Sequence, residues 1–249
     1  MLEESEPKGA LFRAPPDMVE NIVRDVLPEV ARRVAVRPVA RLSEDLVDHI
    51  CNLAGTPGDG ALDAVGRVLR GAGFGTTEIC DSVIPAAARR FGDRWLDDTL
   101  SFAGVTIGVS RLQVMLRELE TELAEAPDPN ARHVAVVVPQ GCQHTLGALA
   151  LSGALRRQGQ IVRLFLCEPN EEVVRQAAQF RPDVVMISAG SSSILNLASE
   201  TISCLRKNHA RATPIVIGGP AVVRHPDLAR DVGADLATDL VAEALALAD

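Results

Sequence analysis

Five short apolar runs organise the second half of the chain: His133–Val138, Ile161–Cys167, Val184–Ala189, Ile215–Gly218 and Asp235–Thr238. Each is followed by a stretch with helical spacing, at about 145–158, 170–180, 192–207, 221–232 and 239–248. Strands joined through helices of this length run parallel, and their crossovers are right-handed. The first, third and fourth runs are unbroken apolar stretches, as strands covered on both faces require. The rhythm predicts an α/β domain over 131–249, a five-stranded parallel, doubly wound sheet of flavodoxin-like order.

Ala126-Pro127-Asp128-Pro129-Asn130 is the linker that separates this rhythm from a helical one. Residues 1–16, polar and carrying Pro7, Pro15 and Pro16, read as a flexible arm. From Asp17, Met18, Ile22, Val26, Leu27, Val30 and Val34 recur at three-to-four spacing, interrupted by Pro28. Ser43 is placed to cap a helix with the stripe Leu46, Val47, Ile50 and Leu53. A short helix with Leu62, Val65, Val68 and Leu69 follows, closed by Gly71 or Gly73. Thr76 or Thr77 is placed to cap the next, which carries Ile79, Val83, Ile84, Ala87 and Phe91, with Pro85 as an exception. A long helix at about 99–125 has the stripe Phe102, Val105, Val109, Leu112, Met115, Leu116 and Leu119. Residues 17–126 are therefore expected to form a four- or five-helix bundle.

Composition narrows the function classes. A net charge of −8 argues against a surface that tracks nucleic-acid phosphates. With no Tyr, one Trp and six Phe, platforms for stacking single strands are also scarce. No apolar run approaches the roughly 20 residues of a membrane span. The acidic start, Met1 to Glu6, is unlike a secretory signal. Five scattered cysteines show neither a disulfide framework nor a metal-type spacing, which fits a reducing cytoplasm.

In open α/β sheets ligands sit at the carboxyl ends of the strands. Val136-Val137-Val138-Pro139-Gln140-Gly141-Cys142-Gln143-His144-Thr145-Leu146-Gly147 is such an end. His144 is a metal-ligand candidate, since imidazole suits first-row metals; the alternative is a solvated loop side chain. No second donor accompanies it, so a metal here must bring most of its own ligands, as a corrin does. Gly147, in the following helix start, admits close approach of a ligand or serves helix packing. Ser188, with Gly190-Ser191-Ser192-Ser193, and Gly218-Gly219 fall on the same sheet edge. They leave a slot for a polar tail or are turns and caps. Trp95 is a flat lid for a flat cofactor or a core residue. Cys142 is a reactive loop thiol or a small buried residue. His49 is a conceivable upper-face ligand or an ordinary helical His. Dinucleotide and P-loop signatures are lacking.

Taken together, His144-Thr145-Leu146-Gly147, Ser188, Gly218-Gly219 and Gly233-Ala234-Asp235 resemble the cobalamin-binding domains of the methionine-synthase type, with their Asp-x-His-x-x-Gly, Ser-x-Leu and Gly-Gly pattern. Ile84 to Trp95 and Val105 to Ile107 resemble their helical cap, and the resemblance spans about 20–248. It implies His144 as the lower axial ligand of cobalt. It implies that Gly147, Ser188, Gly218 and Gly219 line the slot for the cofactor tail, and that Trp95 covers the upper face. Two departures stand out: Cys142 replaces the Asp, and Gly190 replaces the Leu. Loss of a carboxylate that tunes the ligating His argues for binding or sensing over methyl transfer. The Trp-x9-Glu-His motif of light-sensing repressors reads Val105-Thr106 after Trp95. The chain is most similar to the stand-alone AerR/PpaA group, antirepressors that bind cobalamin and contact a repressor of the PpsR/CrtJ type. This implies a light-responsive, non-enzymatic regulator in the cytoplasm, acting through a protein partner. The rival expectation is a corrinoid methyl-carrier subunit of a methyltransferase.

Overall fold

The structure is a computed structural model and describes residues 42–123, 127–190, 194–208, 213–225 and 227–248. The arm at 1–16, the helical run from Asp17 to Val34, and Ser191, Ser192 and Ser193 lie outside the described residues.

The bundle begins with α1, Glu44–Gly55, where the Ser43 side chain accepts the Leu46 N–H at 3.2 Å, as the sequence predicts. α2 spans Ala61–Gly71. The next helix opens with one α turn, Thr76–Glu78, passes through a π-helical turn, Ile79–Val83, and continues as α3, Ile84–Leu96. Neither Thr76 nor Thr77 caps it. Gly75 holds the cap position, and the Glu78 carboxylate accepts its N–H at 2.9 Å. The buried residues Ile79, Val83, Ala87 and Phe91 recur every four positions. A strict spacing of four drifts around an α-helix, whose period is 3.6; the looser π turn takes up part of that drift. Pro85 stands in the first turn of α3, where the hydrogen-bond ladder changes and a missing N–H is tolerated.

α4, Phe102–Glu122, is capped by Ser101, which accepts the Gly104 N–H at 3.2 Å. Phe91 of α3 is fully buried against it. A β-carbon at Gly108 would stand 2.2 Å from Phe91 Cζ, so that glycine sets how closely α3 and α4 approach. From α4, Arg111 donates to the carbonyls of Ala54, Thr56 and Gly58. These are the orphan acceptors at the end of α1 and in the turn beyond it.

The second half is the predicted α/β domain. Its strands are β1 (His133–Val138), β2 (Ile161–Leu166), β3 (Val184–Ser188), β4 (Ile215–Gly218) and β5 (Leu236–Ala237). They form one parallel sheet in the order β2-β1-β3-β4-β5. The inner strands β1, β3 and β4 are buried almost throughout, and the edge strand β2 is mostly half-buried. The helices are α5 (Leu146–Arg157), α6 (Asn170–Phe180), α7 (Leu195–Asn208), α8 (Ala221–Arg224), α9 (Leu228–Val232) and α10 (Val241–Ala246). α6 packs on α7, and α7 on α9, along one side of the sheet. Where one helix is expected at 221–232 there are two, divided at His225, whose backbone is extended. β2 stops one residue early because Cys167 turns out of the strand at a left-handed φ of 57°.

α5 is the element that both halves share. It packs on β1 and β2, and α3, the π turn and α4 pack on it. Arg157 at its end, only 8% exposed, pairs with Asp81 of the π turn and lies 3.8 Å from Glu120 of α4. Glu120 lies against Gly153, a position where any β-carbon would collide with its carboxylate. Burial raises the Glu120 carboxyl above its ordinary pKa, against the pull of Arg157 and Arg156. Among the described residues, no helix is long and apolar enough to cross a membrane.

Candidate cofactor site

The site is built where β1 runs out. After Val138 the chain turns back on itself: the Pro139 carbonyl takes the Cys142 N–H at 3.1 Å, and Gly141 supplies a φ of 86°. The turn buries Cys142, at 2% exposure, and leaves His144 exposed at the sheet's carboxyl edge. The Cys142 carbonyl accepts the Cys167 thiol at 2.8 Å, and burial pushes that thiol's pKa up. Cys142 is therefore the packed small residue, not an exposed reactive thiol.

Thr145 occupies the cap position of α5, and its carbonyl accepts the Leu149 N–H at 3.0 Å. Its hydroxyl accepts the Gln113 side-chain amide of α4 at 2.9 Å. The bundle thus touches the His loop directly, a link that sequence reasoning missed.

The loops after β1 and β3 meet at His144 and Gly190. A β-carbon at Gly190 would stand 2.9 Å from His144 Cβ and 3.2 Å from Cγ. Ser188, half-buried, ends β3 opposite Gly218 of β4. The glycines of the candidate slot differ in kind. A β-carbon at Gly218 would meet the Thr238 carbonyl oxygen at 2.9 Å. Gly219 has a φ of 107° and would meet the Ala189 carbonyl oxygen at 2.8 Å. The sheet's own backbone accounts for both. At Gly147, which is exposed, a β-carbon would meet nothing within 4 Å.

Trp95 is 46% exposed at the end of α3, so it is not a core residue. Phe102 stands edge-on to it, with ring centroids 5.8 Å apart. The sequence places Phe102 in the apolar stripe of its helix, but it is 68% exposed. As the first residue of α4, it lies beyond the buried stretch that begins at Gly108. Phe102 falls three turns before Gln113, on the same face of α4 and about 16 Å along its axis. Thr106, which is exposed, and Val109, which is half-buried, lie between them on that face. The eleven-residue interval from Phe102 to Gln113 is the signal that marks this face. His49 is exposed on α1.

Behind the same loop, a cavity of about 270 Å³ is lined by Gln140, Gly141, Asn170, Leu197, Glu200 and Thr201. Among the described residues, no cluster of three or more His, Cys, Asp or Glu side chains can hold a metal ion.

Residues 132–246 match the B12 binding domain. An uncharacterized 20.5 kDa protein from the bchF-crtJ intergenic region of Rhodobacter capsulatus is 35% identical over 184 residues, 72% of this chain and 94% of that protein. The chain belongs to the B12-binding family. Its cofactor is cobalamin, as the motif order around His144 predicts. The HTH-type transcriptional repressor CarH of Myxococcus xanthus is 29% identical over 146 residues. The match covers 58% of this B12-binding chain and 48% of CarH. In fold the chain is similar to the monomethylamine corrinoid protein of Methanosarcina barkeri, with a TM-score of 0.64 and 20% identity. That likeness covers 82% of this chain and 95% of the corrinoid protein.

Proposed function

We propose that this protein is a cobalamin-binding, light-responsive antirepressor that is not an enzyme and acts through a DNA-binding repressor of the PpsR/CrtJ type. His144 is the lower axial ligand of cobalt. Gly147, Ser188, Gly218 and Gly219 line the slot for the cofactor tail, and Trp95 covers the upper face. The donor set fits such a group. His144 is a lone exposed imidazole, Gly147 opens onto free space, and a corrin brings its own equatorial nitrogens.

The observation that carries the regulatory reading is the burial of Cys142 two residues before His144. A neutral thiol, turned into the core, stands where a carboxylate would tune the ligating imidazole through cycles of cobalt chemistry. Kinship with CarH, a repressor, and with a protein from a bchF-crtJ region points the same way. Bound cobalamin supplies an upper axial ligand that exchange or light removes. The chain supplies the readout. The His loop, α5 and the α4 face from Phe102 to Gln113 are joined through Thr145, so a change above His144 repacks the bundle and alters a partner surface.

Absorbance of wild type and His144→Ala, mixed with adenosyl- or hydroxocobalamin in the dark, then illuminated and desalted, tests this reading. The expected result is retained cobalamin with a band shift that His144→Ala loses, a light-dependent change, and altered retention of a PpsR-type repressor on its DNA. Turnover of methyl groups with a methyltransferase partner would instead establish the corrinoid methyl-carrier subunit, the reading that the fold likeness to the Methanosarcina barkeri protein favours.

A further inference from the structure

The residue that places His144 is identifiable from the loop's anchors. On one side, the Cys142 N–H is tied to Pro139, and the Cys142 carbonyl takes the Cys167 thiol. On the other, Thr145 is held by Gln113 and by the first turn of α5. Between these anchors the His144 side chain lies against the backbone of Gly190. The nearest atoms to a β-carbon built there are His144 Cβ at 2.9 Å, Cγ at 3.2 Å and Nδ1 at 3.7 Å. Cβ and Cγ are the root of the side chain, so no rotation about the outer bonds relieves the contact. Any residue larger than glycine at 190 has to move His144 itself.

A ligating imidazole ordinarily has its second nitrogen fixed by a carboxylate or a carbonyl, which sets the ring's orientation. Here the residue two positions upstream, Cys142, is buried and engaged with Cys167. We infer that Gly190 is the positioning residue for His144: its bare backbone is the seat for the Cβ–Cγ–Nδ1 edge of the ring, which leaves Nε2 as the nitrogen offered to cobalt. The seat itself is a property of the cofactor-free chain. Its use at cobalt rests on the reading of His144 given above.

Two measurements separate these claims. In the cofactor-free, full-length protein with labelled histidine, NMR should show a contact between the Gly190 α-protons and the His144 β-protons, and Gly190→Ala should shift the His144 ring resonances. A double-mutant cycle adds a control for folding. Gly190→Ala should lower the melting temperature of wild type but not of His144→Gly, where the colliding atoms are gone. Equal losses in both backgrounds, or unshifted ring resonances, overturn the seat. Electron paramagnetic resonance of added cob(II)alamin then reads the nitrogen splitting from an axial imidazole. Gly190→Ala is expected to retain cobalamin while the split fraction falls about tenfold, the usual effect of removing a ligand's supporting contact. Full splitting in Gly190→Ala overturns the positioning role. Wild type that binds no cob(II)alamin refutes the ligand reading of His144, and with it the use at cobalt, whereas the NMR contact still decides the seat.

Discussion

Gln113, in the middle of α4, donates its side-chain amide to the hydroxyl of Thr145 at 2.9 Å, next to His144 in sequence. A residue of the helical bundle therefore holds the start of the helix that follows the candidate cobalt ligand. Replacing either partner with Ala should cost about 1 kcal/mol. The two losses should not add, because they remove the same bond. Urea unfolding of both single variants and the double variant measures the coupling; strictly additive losses would show that the bond contributes nothing.

The glycines at the sheet edge should separate by substitution. Gly147→Ala is expected to leave the fold as stable as wild type, or to stabilise it by up to about 1 kcal/mol through helix propensity, because nothing occupies the space. Its effect should fall on cobalamin retention. Gly219→Ala should instead destabilise the apoprotein by about 1–3 kcal/mol, since alanine resists its φ of 107° and would press on the Ala189 carbonyl. Thermal melts with and without cobalamin distinguish the two; a Gly147→Ala protein that binds cobalamin normally would remove that residue from the slot.

Gly108→Ala places a methyl group into the ring of Phe91. Helix propensity favours alanine by ~1 kcal/mol, but overpacking of this kind costs about 1–3 kcal/mol, and here the colliding atoms belong to a fully buried aromatic ring. A net loss is expected. An unchanged urea midpoint would show that α3 and α4 can part without penalty.

The Glu120 carboxyl has its pKa raised above the ordinary 4.5, chiefly by burial. A carboxyl that binds its proton more tightly in the folded chain destabilises the fold as pH rises from the unfolded value through the raised one, after which the deficit is constant. Glu120→Gln carries no such proton. The difference in melting temperature between Glu120→Gln and wild type should therefore shift in the variant's favour as pH rises from below 4.5 toward neutral. A difference that moves the opposite way would mean that attraction to Arg157 outweighs burial.

Much of this architecture is legible in the residues. β-branched runs alternating with helical spacing give the strands to within a residue or two, because burial on both faces leaves no other pattern open to them. Phe102 is misread because periodicity continues to the end of a helix whether or not a neighbour is there to cover it. The cap at Gly75 is missed because Glu78 reaches back to satisfy its N–H, which a search for a capping hydroxyl overlooks. Gly218 and Gly219 look the same in sequence whether the room they leave is filled by a ligand or by the carbonyls of Thr238 and Ala189. Gly190 stands out only as a departure from a pattern, since its contact partner is 46 positions away at His144.

The π turn at Ile79–Val83 has a consequence for what the chain tolerates over evolutionary time. Such a turn holds one more residue than an α turn, so its sequence length is a form of phase information. Removal of a single residue there would rewind it and rotate everything downstream by about 100° relative to everything upstream. Ile79 and Cys80 could then remain buried only if Phe91 left its place against Gly108, and Trp95 would be carried around the helix with it. In this segment, the number of residues is under tighter constraint than the identity of most of them.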